Sequence, residues 1–251
     1  MTSLLAEELK KELCCAMKKL KTDRGRLAPK SEKNPYSHLK LLWGWVIYFV
    51  CFVLTERLIP PERCYPVHCF LDDWIPFCEI FLIPYVFWYF LIVFTLVYFL
   101  AHRVESFRKL QTYLIILQVL AIVIYVLLPS RQDLRPAQFA RDNALTRGVA
   151  FLYSIDTNTG VCPSMHVAYS IGIASAWLKE DGIKARWKAL IVVIAGVICL
   201  STMFIKQHSA VDFFAALPLC LLAECLVYGK RKCRVFDLVE IRTCKNKGNC
   251  L

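Results

Sequence analysis

Six long apolar runs divide this chain, and short charged or turn-forming segments separate them. Runs of this kind are typical of helices that cross a bilayer, because a chain segment in lipid must satisfy its backbone hydrogen bonds internally. Hydrophobic residues make up 57% of the sequence, a larger share than soluble domains usually have. The sequence therefore predicts an all-α, polytopic membrane helix bundle. Its predicted spans are residues 41–59, 74–101, 112–128, 163–178, 189–205 and 208–228.

Two prolines fall inside these runs. Pro84 in the second run predicts a kink or a tilt of that helix, and Pro218 lies within the sixth run. Between the third and fourth runs, residues 129–161 form the longest polar segment. A connection of this length in a compact protein is usually either functional or disordered.

The domain organisation follows from the same pattern. Residues 1–40 are polar and basic, with leucines at helical spacing. This spacing is typical of a helix lying on an anionic membrane surface, although a partly ordered cytosolic tail explains it equally well. Residues 41–228 are expected to form one six-span membrane domain, and residues 229–251 a basic cytoplasmic tail. The first 40 residues contain no apolar core of a cleavable signal peptide, so the first span is expected to direct insertion.

Positive charge is distributed unevenly between the two sides of the six-span topology. Of the 31 Lys and Arg residues, 24 lie in the terminal segments and in the loops near 101–111 and 179–188. Such an excess marks the cytoplasmic side, so both termini are expected there. The charges lie between the apolar runs, as they do in the loops of membrane proteins. The net charge of +11 is therefore not taken as a sign of a nucleic-acid-binding surface. The chain is thus expected to be a multi-pass protein of the cell membrane.

The 13 cysteines are scattered through spans, loops and tails. Cys64 and Cys69 lie in a short predicted outer loop and can pair if that side is oxidising. Near the C-terminus, Cys233, Cys244 and Cys250 lack the paired spacing of a zinc site. No metal site and no cofactor are predicted.

A histidine and an aspartate lie between the fifth and sixth runs, in the segment KQHSAVD at 206–212. Four residues separate His208 from Asp212, so on a helix both side chains share one face. The aspartate would then hold one ring nitrogen and leave the other as a nucleophile or base. Ordinary polar residues at a helix start offer an equally simple explanation. A second histidine, His166, opens the fourth span on the same side, and this favours a functional pair.

The start of the fourth span also predicts an anion site. Pro163 fits the first turn of a helix, where its missing N–H would have no partner. The following amides of Ser164 and Met165 would point outward at the positive end of the helix dipole, which favours phosphate. Arg135 in the preceding loop can add planar, bidentate phosphate recognition. Phosphate beside two histidines indicates phosphoryl transfer, with one imidazole as nucleophile and the other as acid.

Three motifs in these segments resemble those of the type-2 phosphatidic acid phosphatase superfamily. They are Arg135-Pro136, the sequence PSMH at 163–166, and Ser201 followed by HSAVD at 208–212. The superfamily includes lipid phosphate phosphatases, undecaprenyl pyrophosphate phosphatases, haloperoxidases, and inositol phosphorylceramide and sphingomyelin synthases. The resemblance covers about residues 125–215, and the six-span plan extends it to most of the chain.

The resemblance implies a role for each of these residues. His208 would attack phosphorus and carry a phosphohistidine intermediate, and Asp212 would orient its ring. His166 would protonate the leaving alcohol. Arg135 and the amides at the start of the fourth span would hold the phosphate oxygens, and no metal ion would take part.

Departures from the family's motifs affect the phosphate ligands. Leu128 stands where the family has a lysine, and Thr202 stands where it has an arginine. Arg131 and Lys206 are the nearby cations, whereas Met165 in place of a glycine leaves the backbone N–H available. The predicted substrate-binding residues are Arg135, Ser164, Met165, Lys206, Ser201 and Arg131.

The expected activity is hydrolysis of a lipid phosphate or a prenyl (di)phosphate at the outer face of the membrane. A lipid phosphotransferase would use the same histidines, and KQH at 206–208 resembles the inositol phosphorylceramide synthase-like branch. A catalytically inactive membrane scaffold is the third possibility, against which the intact histidines argue. Asp156, Asn158 and Asn143 either line the site or cap turns.

Overall fold

The structure, a computed structural model, describes residues 36–229. The predicted amphipathic helix before residue 36 and the basic tail from residue 230 lie outside the described residues. Packing of the Cα atoms divides the chain into residues 1–40 and 41–251. All contacts described below lie within the second of these units.

The described residues are mostly helical. Five helical stretches are long and apolar enough to cross a membrane, namely Ser37–Leu58, Glu79–His102, Val104–Leu127, Ala185–Phe204 and Ala210–Tyr228, whereas Met165–Leu178 has only 14 residues. The prediction of a helical membrane protein is confirmed to this extent. The α-helices are α1 (Trp43–Leu58), α2 (Phe70–Trp74), α3 (Leu82–His102), α4 (Val104–Leu127), α5 (Ala144–Ile155), α6 (Met165–Leu178), α7 (Ala185–Phe204) and α8 (Ala210–Tyr228). Two strands, β1 (Tyr65–Pro66) and β2 (Ser130–Arg131), and 3₁₀ segments at Ser37–Leu42, Pro61–Arg63 and Glu79–Phe81 complete the list.

The short helix α6 lies at the centre of the bundle, where α3, α4, α7 and α8 pack around it. Its small side chains allow this close approach. A Cβ atom added at Gly172 would lie only 2.4 Å from the ring of Tyr113 in α4. The Tyr113 hydroxyl in turn donates to the Cys220 carbonyl of α8 at 3.3 Å. The bundle is therefore built around α6. Helix α4 also packs against α1 and α8.

The second membrane helix begins later than the apolar pattern predicts. Trp74 ends the short helix α2, and α3 starts at Leu82. Pro84 therefore lies in the first turn of α3, where no intrahelical hydrogen bond is lost, and not in the helix interior, where a kink was predicted.

Two helices extend beyond their apolar runs. Only Arg103 separates α3 from α4, so the predicted loop at 101–111 is mostly helical. The helix continues because its polar start has good helix formers and an i,i+4 ion pair, with Lys109 Nζ 3.0 Å from Glu105 Oε1. Similarly, α7 begins at Ala185, four residues before its predicted start.

Three connecting segments meet at one end of the bundle, which we call the site end: residues 59–81, 129–164 and 205–209. Strand β1 pairs in parallel with β2, and the Gln132 amide donates to the Asn158 carbonyl at 3.0 Å. The segment 129–161, predicted as a loop, contains helix α5. Asn143 caps this helix by accepting from two of its first amides, so of its two predicted roles it has the capping one.

Asp72 joins the first of these segments to α8. Its side chain is only 3% exposed. One carboxylate oxygen accepts from the Ser209 hydroxyl at 2.5 Å, and the other accepts from the Ala210 amide at 2.7 Å. Burial alone would raise the pKa of Asp72, but these hydrogen bonds and those from Cys69 outweigh it and hold the pKa below its usual value. The carboxylate thus acts as a fixed anion at the N-terminus of α8.

We expect Asp72→Asn to lower the free energy of unfolding by about 2 kcal/mol at neutral pH, because hydrogen bonds to a buried charge are lost. Since the folded-state pKa of Asp72 is depressed, its contribution is present above the pKa of the unfolded state and disappears as the pH falls through the folded-state value. The difference from the native chain should therefore shrink below about pH 4. Thermal unfolding in detergent at several pH values measures it.

Asp73→Asn is the matched control. Asp73 is the next residue, its side chain is 66% exposed, and its partner among residues 36–229 is His68 at 2.8 Å. Its loss should change stability by less than about 0.5 kcal/mol. Equal effects of the two substitutions would show that the Asp72 carboxylate does not hold α8.

Candidate active site

The turn between α7 and α8 places His208. Lys206 adopts a left-handed backbone conformation with φ of 54°. The Thr202 carbonyl then accepts from both the Gln207 and His208 amides, at 3.0 and 3.1 Å. This arrangement ends α7 and reverses the chain, because the left-handed residue turns the following amides back onto the last helical turn. His208 therefore precedes the N-cap residue of α8, Ser209.

His208 and Asp212 are in contact, although not in the way that their spacing predicts. His208 lies outside the helix, so the two do not share a helical face. Asp212 is the third residue of α8, and its Oδ2 accepts from the Ser209 amide at 3.0 Å, as in a capping box. The same oxygen lies 3.1 Å from His208 Nδ1. The helix cap and the histidine thus share one carboxylate oxygen.

This contact sets the chemistry of the His208 ring. The Asp212 side chain is fully buried, and His208 is 11% exposed. A carboxylate at Nδ1 favours the tautomer that carries its proton there, which leaves a lone pair on Nε2. Nε2 can therefore act as a nucleophile, while the carboxylate stabilises positive charge on the ring.

His166 approaches the same place from α6, of which it is the second residue. Its ring is held between aromatic side chains of α3, with centroid distances of 4.3 Å to Tyr85 and 4.0 Å to Trp88. The centroids of His166 and His208 are 5.8 Å apart. His166 Nε2 is buried and has no hydrogen-bond partner among the described residues. A buried imidazole nitrogen without a partner is typical of a group that meets a ligand.

Both histidines line a cavity of about 520 Å³. It lies between α1 and α3, which both pack on α4, and most of its wall is apolar. Exposed residues such as Phe49 and Val93 lie at its side, so the cavity opens between the two helices. Its aromatic lining consists of Trp45, Tyr48, Phe49, Phe52, Tyr85, Trp88, Tyr89, Tyr125 and Tyr169.

The start of α6 provides only part of the predicted anion site. Pro163 precedes the N-cap residue Ser164 instead of occupying the first turn. The Ser164 amide donates to the Asp212 carbonyl at 3.1 Å, so it is not available to a ligand. Met165 lines the cavity. No described residue accepts from the Met165 and His166 amides, which leaves these two amides for an anion.

Arg135 organises the site rather than pointing into the cavity. Its guanidinium donates to the carbonyls of Tyr153, Asp156 and Thr157 at 2.9–3.2 Å, at the C-terminal end of α5. It also donates to Gln207 Oε1 at 2.6 Å. Arginine suits this position because it satisfies the last carbonyls of a helix. Arg135 thus connects α5 to the residue that precedes His208.

Three other predicted substrate-binding residues are directed elsewhere. Lys206 Nζ donates to the carbonyls of Asp72 and Ile75, at 2.8 and 2.5 Å, and burial lowers its pKa. Arg131 pairs with Asp133 at 3.1 Å and donates to the Pro61 carbonyl. The Ser201 hydroxyl donates to the Ile198 carbonyl within α7 at 2.6 Å. These contacts hold loops and a helix in place.

Asp156 and Gln207 also lie at the cavity, although neither is among the predicted catalytic or substrate-binding residues. Both line the cavity with His208, and Gln207 Nε2 donates to Asp156 Oδ2 at 3.1 Å. Burial raises the pKa of Asp156, and the nearby His208 and Arg135 partly offset this increase. Of its two predicted roles, Asp156 has the one that lines the site. The signal for Gln207 in the sequence was its position beside His208.

Cys64, Cys69, Cys78 and Cys162 lie in the segments of the site end, and all four are free thiols. Cys64 and Cys69, predicted to be able to pair, are therefore not joined. Within residues 36–229, no group of three or more His, Cys, Asp and Glu side chains is placed to hold a metal ion.

The chain was compared with known proteins. It matches no model of a protein family, no curated protein and no solved structure. The resemblance of its motifs to the phosphatidic acid phosphatase superfamily thus remains a prediction, and the function has to be argued from the geometry of the two histidines, Asp212 and the cavity.

Proposed function

We propose that this protein is a membrane phosphatase that hydrolyses a lipid phosphate or a prenyl (di)phosphate through a phosphohistidine. The observation that carries the proposal is the pair of imidazoles at one end of an aromatic cavity, one of them bound by the buried Asp212 carboxylate. Phosphate chemistry needs a nucleophile and an acid on either side of the phosphorus, and these two rings supply both.

In the proposed reaction, His208 Nε2 attacks phosphorus while the bond from phosphorus to the leaving oxygen breaks. Asp212 stabilises the positive charge that develops on the ring. Protonated His166 gives its proton to the leaving oxygen and becomes neutral. Water then attacks phosphorus as the bond from phosphorus to His208 Nε2 breaks. His166 takes one proton of the water, and inorganic phosphate leaves. The Met165 and His166 amides hold the phosphoryl oxygens.

The cavity supports a substrate with a long apolar chain. It is lined mainly by aromatic rings and is open between α1 and α3, and both helices carry many exposed apolar side chains. A lipid can enter sideways from the bilayer and place its chain along this wall, because burial of apolar surface stabilises it there. Its phosphate then reaches the histidines at the polar end of the cavity.

We further propose six membrane crossings, with the 14-residue α6 as the sixth membrane helix. Such a helix is about 21 Å long, shorter than the hydrocarbon core of a bilayer. It would begin below the membrane surface and hold His166 at that depth. The excess of Lys and Arg in the terminal segments and in the loops near 101–111 and 179–188 supports a topology with both termini in the cytoplasm and the site end at the outer face of the cell membrane.

Site-directed labelling tests this orientation. In intact cells, a membrane-impermeant thiol reagent should modify Gln138→Cys, in the exposed segment before α5, but not Asp181→Cys, between α6 and α7. Peptide mass spectrometry should identify the modified site, because native cysteines also lie at the site end. If only Asp181→Cys were modified, the membrane orientation would be the opposite of the one proposed, with the site end in the cytoplasm.

The roles of the histidines can be separated by the leaving group. His208→Asn should abolish turnover and the covalent phosphoenzyme. His166→Asn should lower kcat for an alkyl phosphate by about 10²–10⁴-fold, the usual contribution of a general acid. Its effect on p-nitrophenyl phosphate should be much smaller, since nitrophenolate leaves without a proton. Equal losses with both substrates would exclude the acid role of His166, and full activity of His208→Asn would exclude His208 as the nucleophile. A native protein without turnover would favour the inactive scaffold.

Two valines one helical turn apart test where the lipid chain binds. Val93 lines the cavity, whereas Val97 does not, and they are 60% and 58% exposed. Val93→Trp should fill the opening and lower kcat/KM for a long-chain lipid phosphate about tenfold, or ~1.4 kcal/mol. It should spare p-nitrophenyl phosphate, and Val97→Trp should affect neither substrate. Equal losses from both variants would place the chain elsewhere.

A further inference from the structure

One feature of the cavity is unexpected for a site that takes only a phosphate. Asp156, at the C-terminal end of α5, lines the cavity together with His166 and His208. An ionised carboxylate beside a phosphoryl group raises the energy of the bound anion. Asp156 should therefore face a different part of the reacting molecules.

Hydrogen bonds hold Asp156 through its backbone carbonyl and through one of its two carboxylate oxygens. Its Oδ2 accepts from Gln207 Nε2 at 3.1 Å, and its own carbonyl accepts from Arg135 Nη1 at 3.0 Å. Arg135 also donates to the Oε1 atom of Gln207, so the three residues form a closed set of hydrogen bonds. No described residue donates to Asp156 Oδ1. The fixed carboxylate thus keeps one oxygen with acceptor capacity for a ligand.

The surroundings of Asp156 favour a hydroxyl over a cation as its partner. The Arg135 guanidinium lies beside it and already offsets part of its charge, and His208 adds positive charge when protonated. A second full cation would meet repulsion from these groups, whereas a hydroxyl donates a hydrogen bond without it. The aromatic rings of Tyr85 and Trp88 beside His166 can pack on the carbon skeleton of a small polyol.

We propose that Asp156 forms a subsite for an alcohol acceptor with neighbouring hydroxyls, which competes with water for the phosphoryl group on His208. The inference rests on the function proposed above. It assigns to the site a class of acceptor, a 1,2-diol or larger polyol, and a residue that recognises it. One hydroxyl reacts, and the next one donates to Asp156 Oδ1.

The transfer step balances without a further reactant. The oxygen of the reacting hydroxyl forms a bond to phosphorus as the bond from His208 Nε2 to phosphorus breaks. The hydroxyl proton passes to His166, which is neutral after it has protonated the first leaving group. His208 returns to its neutral form, and the product is the phosphate monoester of the polyol.

The test measures how one phosphoenzyme divides between acceptors. The purified full-length protein in detergent receives a long-chain lipid phosphate labelled in phosphorus, with equal concentrations of 1,2-ethanediol or ethanol. The ratio of alkyl phosphate to inorganic phosphate is measured for each. Both products come from the same intermediate, so the ratio does not depend on how much of a variant is folded and active.

We expect the native protein to prefer the diol over ethanol by about tenfold, equivalent to ~1.4 kcal/mol. The two hydroxyls of the diol would by themselves give only a statistical preference of about two. Asp156→Ala should reduce the preference to that statistical factor. Asp156→Asn, which keeps an amide oxygen as acceptor, should give an intermediate value. Asp142→Ala is the control, because Asp142 is an exposed carboxylate paired with Arg147 outside the cavity, and it should leave the preference unchanged.

Each contrary result overturns the inference. A native protein that releases phosphate but shows no preference for the diol has no such subsite. A preference that survives Asp156→Ala belongs to another residue. If 2-aminoethanol outcompetes the diol, the carboxylate recognises a cation. If the native protein releases no phosphate and forms no phosphoenzyme, the proposed function itself fails, a result distinct from the other three.

Discussion

The carboxylate of Asp72 is buried against the first residues of α8, where the Ala210 amide and the Ser209 hydroxyl donate to it. A helix start inside an apolar bundle would otherwise leave polar groups without partners, which is costly in a medium of low dielectric. Lys206 donates to two carbonyls of the same segment. The position of His208 between Lys206 and Ser209 therefore depends on how the first connecting segment packs.

The site end combines rigidity with an open cavity. Paired strands, the Arg135 and Gln207 hydrogen bonds and the Asp72 contact fix the loops on which His208 and Asp156 lie. The cavity beside them is walled by aromatic rings, and His166 Nε2 and the Asp212 side chain are buried. Charge interactions are strong in such surroundings. A single carboxylate at His208 Nδ1 can therefore fix the tautomer and the orientation of the ring.

The positions of the cations change the interpretation of the site. Arg131, Arg135 and Lys206 were predicted as phosphate ligands, yet each donates to backbone carbonyls of the connecting segments. Arginine and lysine satisfy several carbonyls at once, which buried irregular segments need. The backbone amides of Met165 and His166, together with the histidines, are then left to stabilise the phosphoryl group in the proposed reaction.

The sequence by itself determined the membrane class, the helical architecture and the closeness of His208 and Asp212, since apolar length and a four-residue spacing are local properties. It misplaced the starts of α3 and α8, because prolines, caps and a left-handed residue decide helix ends. Only the tertiary structure brought Asp72, Asp156 and the aromatic wall to the site. These contacts join residues up to 138 positions apart, and no local pattern encodes which distant segment satisfies a buried helix start.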